Sequence, residues 1–88
     1  MPSRTAVVAS AVGLHARPAS VFAQTAASLD VPVTVLAHGR SVSAASILGV
    51  LSLGIDHGET VELVADGPGA DDALDTLRDL LETDLDAR

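Results

Sequence analysis

The chain has 88 residues, no cysteine and a formal net charge of −7, which arises from 12 acidic residues against five arginines. A chain of this length buries roughly 60 to 70% of its unfolded surface, so a single domain over residues 1–88 is predicted. The acidic charge and the near absence of aromatic residues, with one phenylalanine only, exclude a protein that binds nucleic acid by bulk electrostatics or base stacking.

The sequence also indicates where the protein is located and which ligands it lacks motifs for. No apolar run reaches the ~20 residues that span a bilayer, and the start of the chain lacks the regions of a signal peptide, so we expect no membrane insertion and a cytoplasmic location. His38 and His57, each before a glycine, lack a partner at metal-ligand spacing and are interpreted as solvated turn residues, so no metal is predicted. No Walker loop, Gly-x-Gly-x-x-Gly or Gly-x-Ser-x-Gly motif occurs, and no cofactor is expected.

The first half of the chain predicts a strand, a helix and a hairpin. The residues from Thr5 to Ala9 are mostly β-branched and apolar, as in a strand. A helix that begins close to His15 is predicted by apolar residues at helical spacing, which are Ala19, Phe22, Ala23, Ala26 and Leu29. Val33 to Leu36 and Ser41 to Ser43 form a predicted hairpin that turns through residues 38–40.

The second half predicts a short helix, a strand and a longer helix. Residues 45–53 contain an apolar run that indicates one or two helical turns, with Ser46 at or just before their start. Thr60 to Ala65 alternates apolar and polar residues, as in a strand with one wet face. The last helix is predicted by an apolar stripe that comprises Ala70, Ala73, Leu74, Leu77, Leu80, Leu81 and Leu85. The order βαββαβα predicts an α+β fold, with helices covering one face of a mostly antiparallel sheet.

A histidine and an arginine lie where the first loop turns into the first helix, in the segment Gly-Leu-His-Ala-Arg-Pro of residues 13–18. A neutral imidazole is a good nucleophile near pH 7 and a good leaving group once protonated, so His15 is suited to carry a phosphoryl group. Arg17 would supply a planar cation for the phosphate oxygens, and the first-turn amides of Ala16 and Arg17 can face the same anion. In the alternative interpretation His15 only caps the helix and Arg17 is a solvated surface charge. For an arbitrary His-x-Arg-Pro segment, this alternative is favoured.

Two motifs in register favour the phosphoryl site, because the sequence resembles the HPr family, the histidine-containing phosphocarriers of the bacterial sugar phosphotransferase system. Residues 13–19 match the active-site signature of that family, and residues 46–55 match its regulatory-site signature at the expected separation. The resemblance implies an open-faced β-sandwich in which three helices cover a four-stranded antiparallel sheet. It also implies that His15 takes a phosphoryl group from enzyme I and passes it to the IIA domains of sugar permeases. The protein would then be a carrier, expected to be monomeric, more than an autonomous enzyme.

The second motif raises the question of regulation. Ser46 resembles the serine that an ATP-dependent HPr kinase modifies in many Gram-positive bacteria, and a phosphate there would lie at a helix N-terminus. The alternative is a plain N-cap, because Ala45 replaces a lysine that often stands beside this serine. We expect Ser46 to cap its helix under either interpretation.

The surface expected to dock partners departs from the family. Positions that are basic in many members are held here by Gln24, Ala27 and Gly49. Binding is therefore expected to depend on apolar area beside His15, from a docking patch that comprises Ser20, Ile47, Leu48 and Leu51. Apolar residues at helical spacing are also typical of a core, so the burial of each side chain distinguishes the two interpretations.

Two other functions remain open. One is a phosphocarrier of a specialised branch, such as the nitrogen-related system or a dihydroxyacetone kinase chain, which share the histidine signature, although the region around Ser46 favours the sugar branch. The other is a regulatory protein that uses Ser46 to bind a transcription factor, as the HPr-like paralogue of bacilli does. That paralogue lacks the active histidine, so the presence of His15 with Arg17 favours phosphoryl transfer.

Overall fold

The computed structural model describes residues 2–9 and 13–83, apart from the side chain of Ala16. Secondary-structure elements follow one another there in the predicted order βαββαβα. They are β1 (Ser3–Val7), α1 (Ala16–Ser28), β2 (Val33–Ala37), β3 (Arg40–Ser43), α2 (Ile47–Ser52), β4 (Thr60–Ala65) and α3 (Ala70–Leu81).

The four strands form one antiparallel sheet in the order β1-β4-β2-β3, so the first strand lies beside the last. Ala6 lies opposite Val61, and Val35 lies opposite Leu63, and all four side chains are buried. Of the residues that alternate with them, Thr34 and Glu62 are exposed, and Leu36 and Val64 are half-buried. One face of the sheet therefore carries the core while the other is open, which confirms the predicted α+β open-faced sandwich.

The helices cover the buried face of the sheet. α3 packs on β1 and β4, α2 packs on β3, and α1 contacts both other helices. Phe22 of α1, the single aromatic residue of the chain, is fully buried, as its helical spacing predicts. Burial of a side chain of this size contributes about 1.5 to 3 kcal/mol relative to exposure, so aliphatic and aromatic packing stabilises this cysteine-free fold. In the part of the chain that the structure describes, no helix is long and apolar enough to cross a membrane.

The first strand is shifted relative to its predicted position. β1 begins and ends two residues earlier than the predicted strand of residues 5–9. The amide of Ala9 donates to the carbonyl of Leu81 at 3.0 Å, so the chain has left the sheet there and bonds to the end of α3. Leu85, which the apolar stripe places on the last helix, lies outside the described residues.

Candidate functional site

The junction between loop and helix places His15 immediately before α1. His15 is the N-cap of that helix, with backbone angles φ −120° and ψ 158°, and its side chain makes no capping hydrogen bond. The imidazole is 45% exposed and so is accessible to a reacting partner. Pro18 is fully buried in the first turn, where a backbone N–H would have no intrahelical acceptor. The amides of Ala16 and Arg17 therefore stand at the positive end of a helix with no acidic residue in its first turn.

Gly13 fixes this junction to a second loop of the protein. Its φ of +74° lies in the left-handed region, and a Cβ atom on it would collide with the carbonyl oxygen of Ile55 and lie 2.8 Å from the Cα atom of Asp56. The amide of Leu14 donates to that same Ile55 carbonyl at 2.9 Å. Leu14 is itself buried in the core. The backbone that leads into His15 is therefore held by the second loop and by the core.

The second loop brings a carboxylate to the imidazole. Oδ1 of Asp56 lies 3.6 Å from Nε2 of His15, with the Asp56 side chain 79% exposed. No motif in the sequence points to Asp56 as a site residue. The two residues are 41 positions apart, and no local pattern signals that their loops meet.

Glu59 holds the backbone of Asp56 and pairs with His38. Its Oε1 accepts a hydrogen bond from the amide of Asp56 at 2.8 Å, and its Oε2 lies 2.6 Å from Nε2 of His38. The Asp56 amide, and next the His38 ring, lower the pKa of Glu59, while the Glu59 carboxylate raises the pKa of His38. His38 does lie in a turn, with φ 53°, but its side chain is ion-paired as well as solvated. The sequence missed this pair because its members are 21 positions apart.

Arg17 differs from the other arginines that the structure describes. Arg4 and Arg78 pair with carboxylates of α3, and Arg40 donates to the carbonyl of Ser52 at the end of α2. Arg17 is exposed and forms no hydrogen bond or ion pair with the residues of the described ranges. No residue of the described ranges therefore competes with an anion for its guanidinium at the start of α1.

Ser46 caps α2, as the sequence predicts. Its Oγ accepts a hydrogen bond from the amide of Gly49 at 3.0 Å, while its backbone is extended with φ −95° and ψ 108°. The residue is exposed, so its hydroxyl lies at the surface as well as in the cap. Gly49 is closely packed, because a Cβ atom there would lie 3.1 Å from that same Oγ and 3.1 Å from Cβ of Val42.

The side chains of the expected docking patch differ in exposure. Leu48 is 77% exposed and Ile47 is 40% exposed, whereas Leu51 is half-buried and packs partly on the core. Ser20 and Ile47 line a shallow groove of about 200 Å³ between α1 and α2. The structure thus exposes two of the four residues, Ile47 and Leu48, and leaves Ser20 and Leu51 half-buried.

Comparison with known proteins assigns the chain to a family. A family model described as the PTS HPr component phosphorylation site matches residues 2–83. The phosphocarrier protein HPr of Streptomyces coelicolor is 46% identical over 87 residues, which cover 98% of this chain and 94% of that protein. The fold and these matches define a small phosphocarrier protein. Within that class, the chain belongs to the HPr family of the phosphotransferase system.

Solved structures of the family share the fold. HPr-C-His from Thermoanaerobacter tengcongensis has a TM-score of 0.87 and 39% identity, and the match covers 93% of this chain and 92% of that one. Crh, the catabolite repression protein of Bacillus subtilis, has a TM-score of 0.75 and 33% identity over 97% of this chain and 98% of its own. Crh was solved as a dimer with a swapped domain, so the monomer expected for this chain stays a prediction.

Proposed function

We propose that this protein is a phosphoryl carrier that accepts a phosphoryl group from enzyme I on His15 and donates it to the IIA domains of sugar permeases. The observation that carries the proposal is the half-exposed imidazole at the N-terminus of α1, beside Arg17, a cation with no acidic partner within the described residues. Membership of the HPr family supports the carrier role. The proposal goes beyond family membership, because it assigns roles to particular residues and names the partners.

The transfer step needs a nucleophilic ring nitrogen and stabilisation of the phosphoryl oxygens. A lone pair of the His15 ring attacks phosphorus, the bond from phosphorus to the donor breaks, and the donor keeps its electron pair. Arg17 and the amides of Ala16 and Arg17 stabilise the charge on the three oxygens of the transferring group. The reverse sequence passes the group to an acceptor. This step involves only the donor, the acceptor and groups of this chain.

We propose that phosphorylation of Ser46 by an HPr kinase regulates docking. Ser46 is exposed, and the residues that follow it, Ile47 and Leu48, are also exposed and apolar. A phosphate on Ser46 would place about two negative charges next to this surface in a chain that already carries −7. The docking patch would combine exposed Ile47 and Leu48 with half-buried Ser20 and Leu51.

We further propose that the carrier works as a monomeric domain in the cytoplasm. Buried side chains from β1 through α3, including Ala6, Phe22, Leu63 and Leu77, belong to one contiguous core, which supports one domain over residues 1–88. Native mass spectrometry of the purified chain measures the oligomeric state directly.

The proposal is tested by incubating the protein with phosphoenolpyruvate and enzyme I and measuring its intact mass. We expect the addition of one phosphoryl group that is labile in acid and stable in alkali, because the N–P bond breaks when the ring is protonated. His15→Ala should abolish the addition, and His57→Ala should retain it. A labile adduct that persists in His15→Ala would move the site to another residue and overturn the assignment.

A further inference from the structure

Asp56 is an acidic residue that the proposed transfer leaves without a role. Its carboxylate is the one that lies next to the His15 ring, with Oδ1 3.6 Å from Nε2, and no other carboxylate of the described residues forms an ion pair with that ring. The distance is short enough for a hydrogen bond after a small rotation of either side chain. Because Nε2 faces the carboxylate, Nδ1 is the ring nitrogen that is left to attack phosphorus.

The backbone fixes the position of Asp56. Gly13 lies against its Cα atom, and the amide of Leu14 donates to the carbonyl of Ile55 at 2.9 Å. Glu59 closes the loop from the other side, since its Oε1 accepts from the amide of Asp56 at 2.8 Å and its own amide donates to the Asp56 carbonyl at 3.1 Å. The loop that carries His15 and the loop that carries Asp56 are therefore held together.

We propose that Asp56 is a positioning residue for His15, which holds the proton of the neutral imidazole on Nε2 and so presents an unprotonated Nδ1 to the incoming phosphorus. This inference rests on the proposed function of His15. A carboxylate beside one ring nitrogen favours the tautomer that carries its proton on that nitrogen, which also fixes the plane of the ring. Asp56 acts through His15 and touches no phosphoryl group.

The same contact acts in both directions of transfer. The Nδ1 lone pair forms the N–P bond while the bond from phosphorus to the donor breaks and the donor keeps that electron pair. The phosphorylated ring then carries a positive charge, with its proton still on Nε2 and directed at Asp56. During donation the N–P electron pair returns to Nδ1, and the ring leaves as neutral imidazole. A carboxylate that stabilises the cationic ring thus stabilises the form from which the phosphoryl group departs.

The test compares Asp56→Asn with wild type and with Asp30→Asn. Asp30 is exposed and lies beyond the far end of α1, about 20 Å from His15 along the helix, so its substitution makes the same change of net charge away from the site. Nitrogen NMR of the unphosphorylated imidazole measures the ratio of the two tautomers. Stopped mixing with phosphorylated enzyme I then measures the rate of transfer to His15.

We expect Asp56→Asn to raise the share of the Nδ1–H tautomer and to slow transfer by about two- to fivefold, which is the size of effect that an exposed pair supports. Asp56→Glu should restore much of the rate, and Asp30→Asn should change neither quantity. An unchanged tautomer ratio and rate in Asp56→Asn, with His15 still phosphorylated, would overturn this inference and leave the proposed function standing. An equal loss of rate in Asp30→Asn would also overturn it, because net charge would then be the cause. Failure of wild type to accept a phosphoryl group would overturn both.

Discussion

Gly13 lies against Asp56 so closely that a Cβ atom on Gly13 would be 2.8 Å from the Asp56 Cα atom. The obstacle is backbone, which cannot rotate away as the tip of a side chain can. Gly13 also has φ +74°, a conformation that glycine adopts without steric cost. This contact joins the loop before α1 to the loop before β4, and the geometry of the His15 site depends on it.

Gly13→Ala is therefore expected to destabilise the fold by about 2 to 4 kcal/mol, from left-handed strain together with the collision. For a domain of this size, the loss lowers Tm by roughly 10 °C or more. Gly39→Ala is the matched control, because Gly39 has the same φ of +74° but no atom within 4 Å of the added Cβ. It should lose only about 1 to 2 kcal/mol, the strain alone. Equal losses in urea unfolding of the two variants would show that the close contact of Gly13 with the backbone of Ile55 and Asp56 is unimportant for stability.

Arg17→Ala is expected to change transfer far more than stability. The side chain is exposed and has no partner among the described residues, so Tm should stay within about 2 °C of wild type. A hydrogen bond to a charged group contributes about 1.5 to 3 kcal/mol, which predicts a loss of transfer rate of about tenfold to a hundredfold. Rates are measured with phosphorylated enzyme I.

Arg4→Ala is the control for that experiment. Arg4 pairs with Asp71 and Asp75 of α3, so removing it deletes the same charge from another surface and should leave the transfer rate unchanged. Normal transfer by Arg17→Ala would mean that the backbone amides of the first turn suffice to stabilise the phosphoryl oxygens.

Much of this structure is local enough to be predicted from the sequence. The spacing of Ala19, Phe22 and Ala26 predicts α1, and Pro18 places the start of the helix close to His15, because proline is tolerated in a first turn. Ser46 is predicted as a cap from its position before an apolar run, and the structure shows the hydrogen bond. In each case the interacting atoms are within four positions of one another along the chain.

The parts that sequence reasoning missed depend on long-range packing. Asp56 reaches His15 only because Leu14 bonds to Ile55 across two loops, and His38 reaches Glu59 only once β2 and β4 have paired. The first contact depends on how two loops pack together and the second on strand register, and single-sequence patterns leave both undetermined.

Ser46→Asp is expected to leave the fold intact and to slow phosphorylation of His15 by enzyme I. Aspartate is as good an N-cap as serine, so α2 should retain its first hydrogen bond to Gly49. The new charge lies next to exposed Ile47 and Leu48 and would repel an acidic partner. Raising the salt concentration should restore part of the rate, because exposed charges are screened over about 8 Å at physiological ionic strength.

Ser46→Ala distinguishes the effect of losing the helix cap from the effect of adding a negative charge. It removes the Oγ acceptor and should cost about 1 kcal/mol of stability while leaving the rate at low salt near that of wild type. If Ser46→Asp also showed an unchanged rate at low salt, Ser46 would lie outside the interface and would be a helix cap without a regulatory role.

The pair of His38 and Glu59 is expected to make stability depend on pH in a particular window. The pKa of His38 is raised from its ordinary value near 6.5, so its contribution is complete below that value and is lost as pH rises through the folded-state pKa. The pKa of Glu59 is lowered from its ordinary value near 4.5, so its contribution is complete above that value and is lost as pH falls through the folded-state pKa. Between these two ordinary values both groups are charged and the pair contributes most.

Urea unfolding of wild type, His38→Asn, Glu59→Gln and the double variant, at about pH 5.5 and about pH 8.5, measures this contribution as a double-mutant cycle. Asparagine tolerates the left-handed backbone at position 38, where φ is 53°, and glutamine retains an oxygen that can accept from the amide of Asp56. We expect a stabilising coupling energy at the lower pH that falls at the higher pH, because His38 is then neutral. A coupling that is the same at both pH values would show a hydrogen bond whose strength does not depend on the charge of His38. A coupling of zero would show that the pair, although 2.6 Å apart, does not stabilise the loop that positions Asp56.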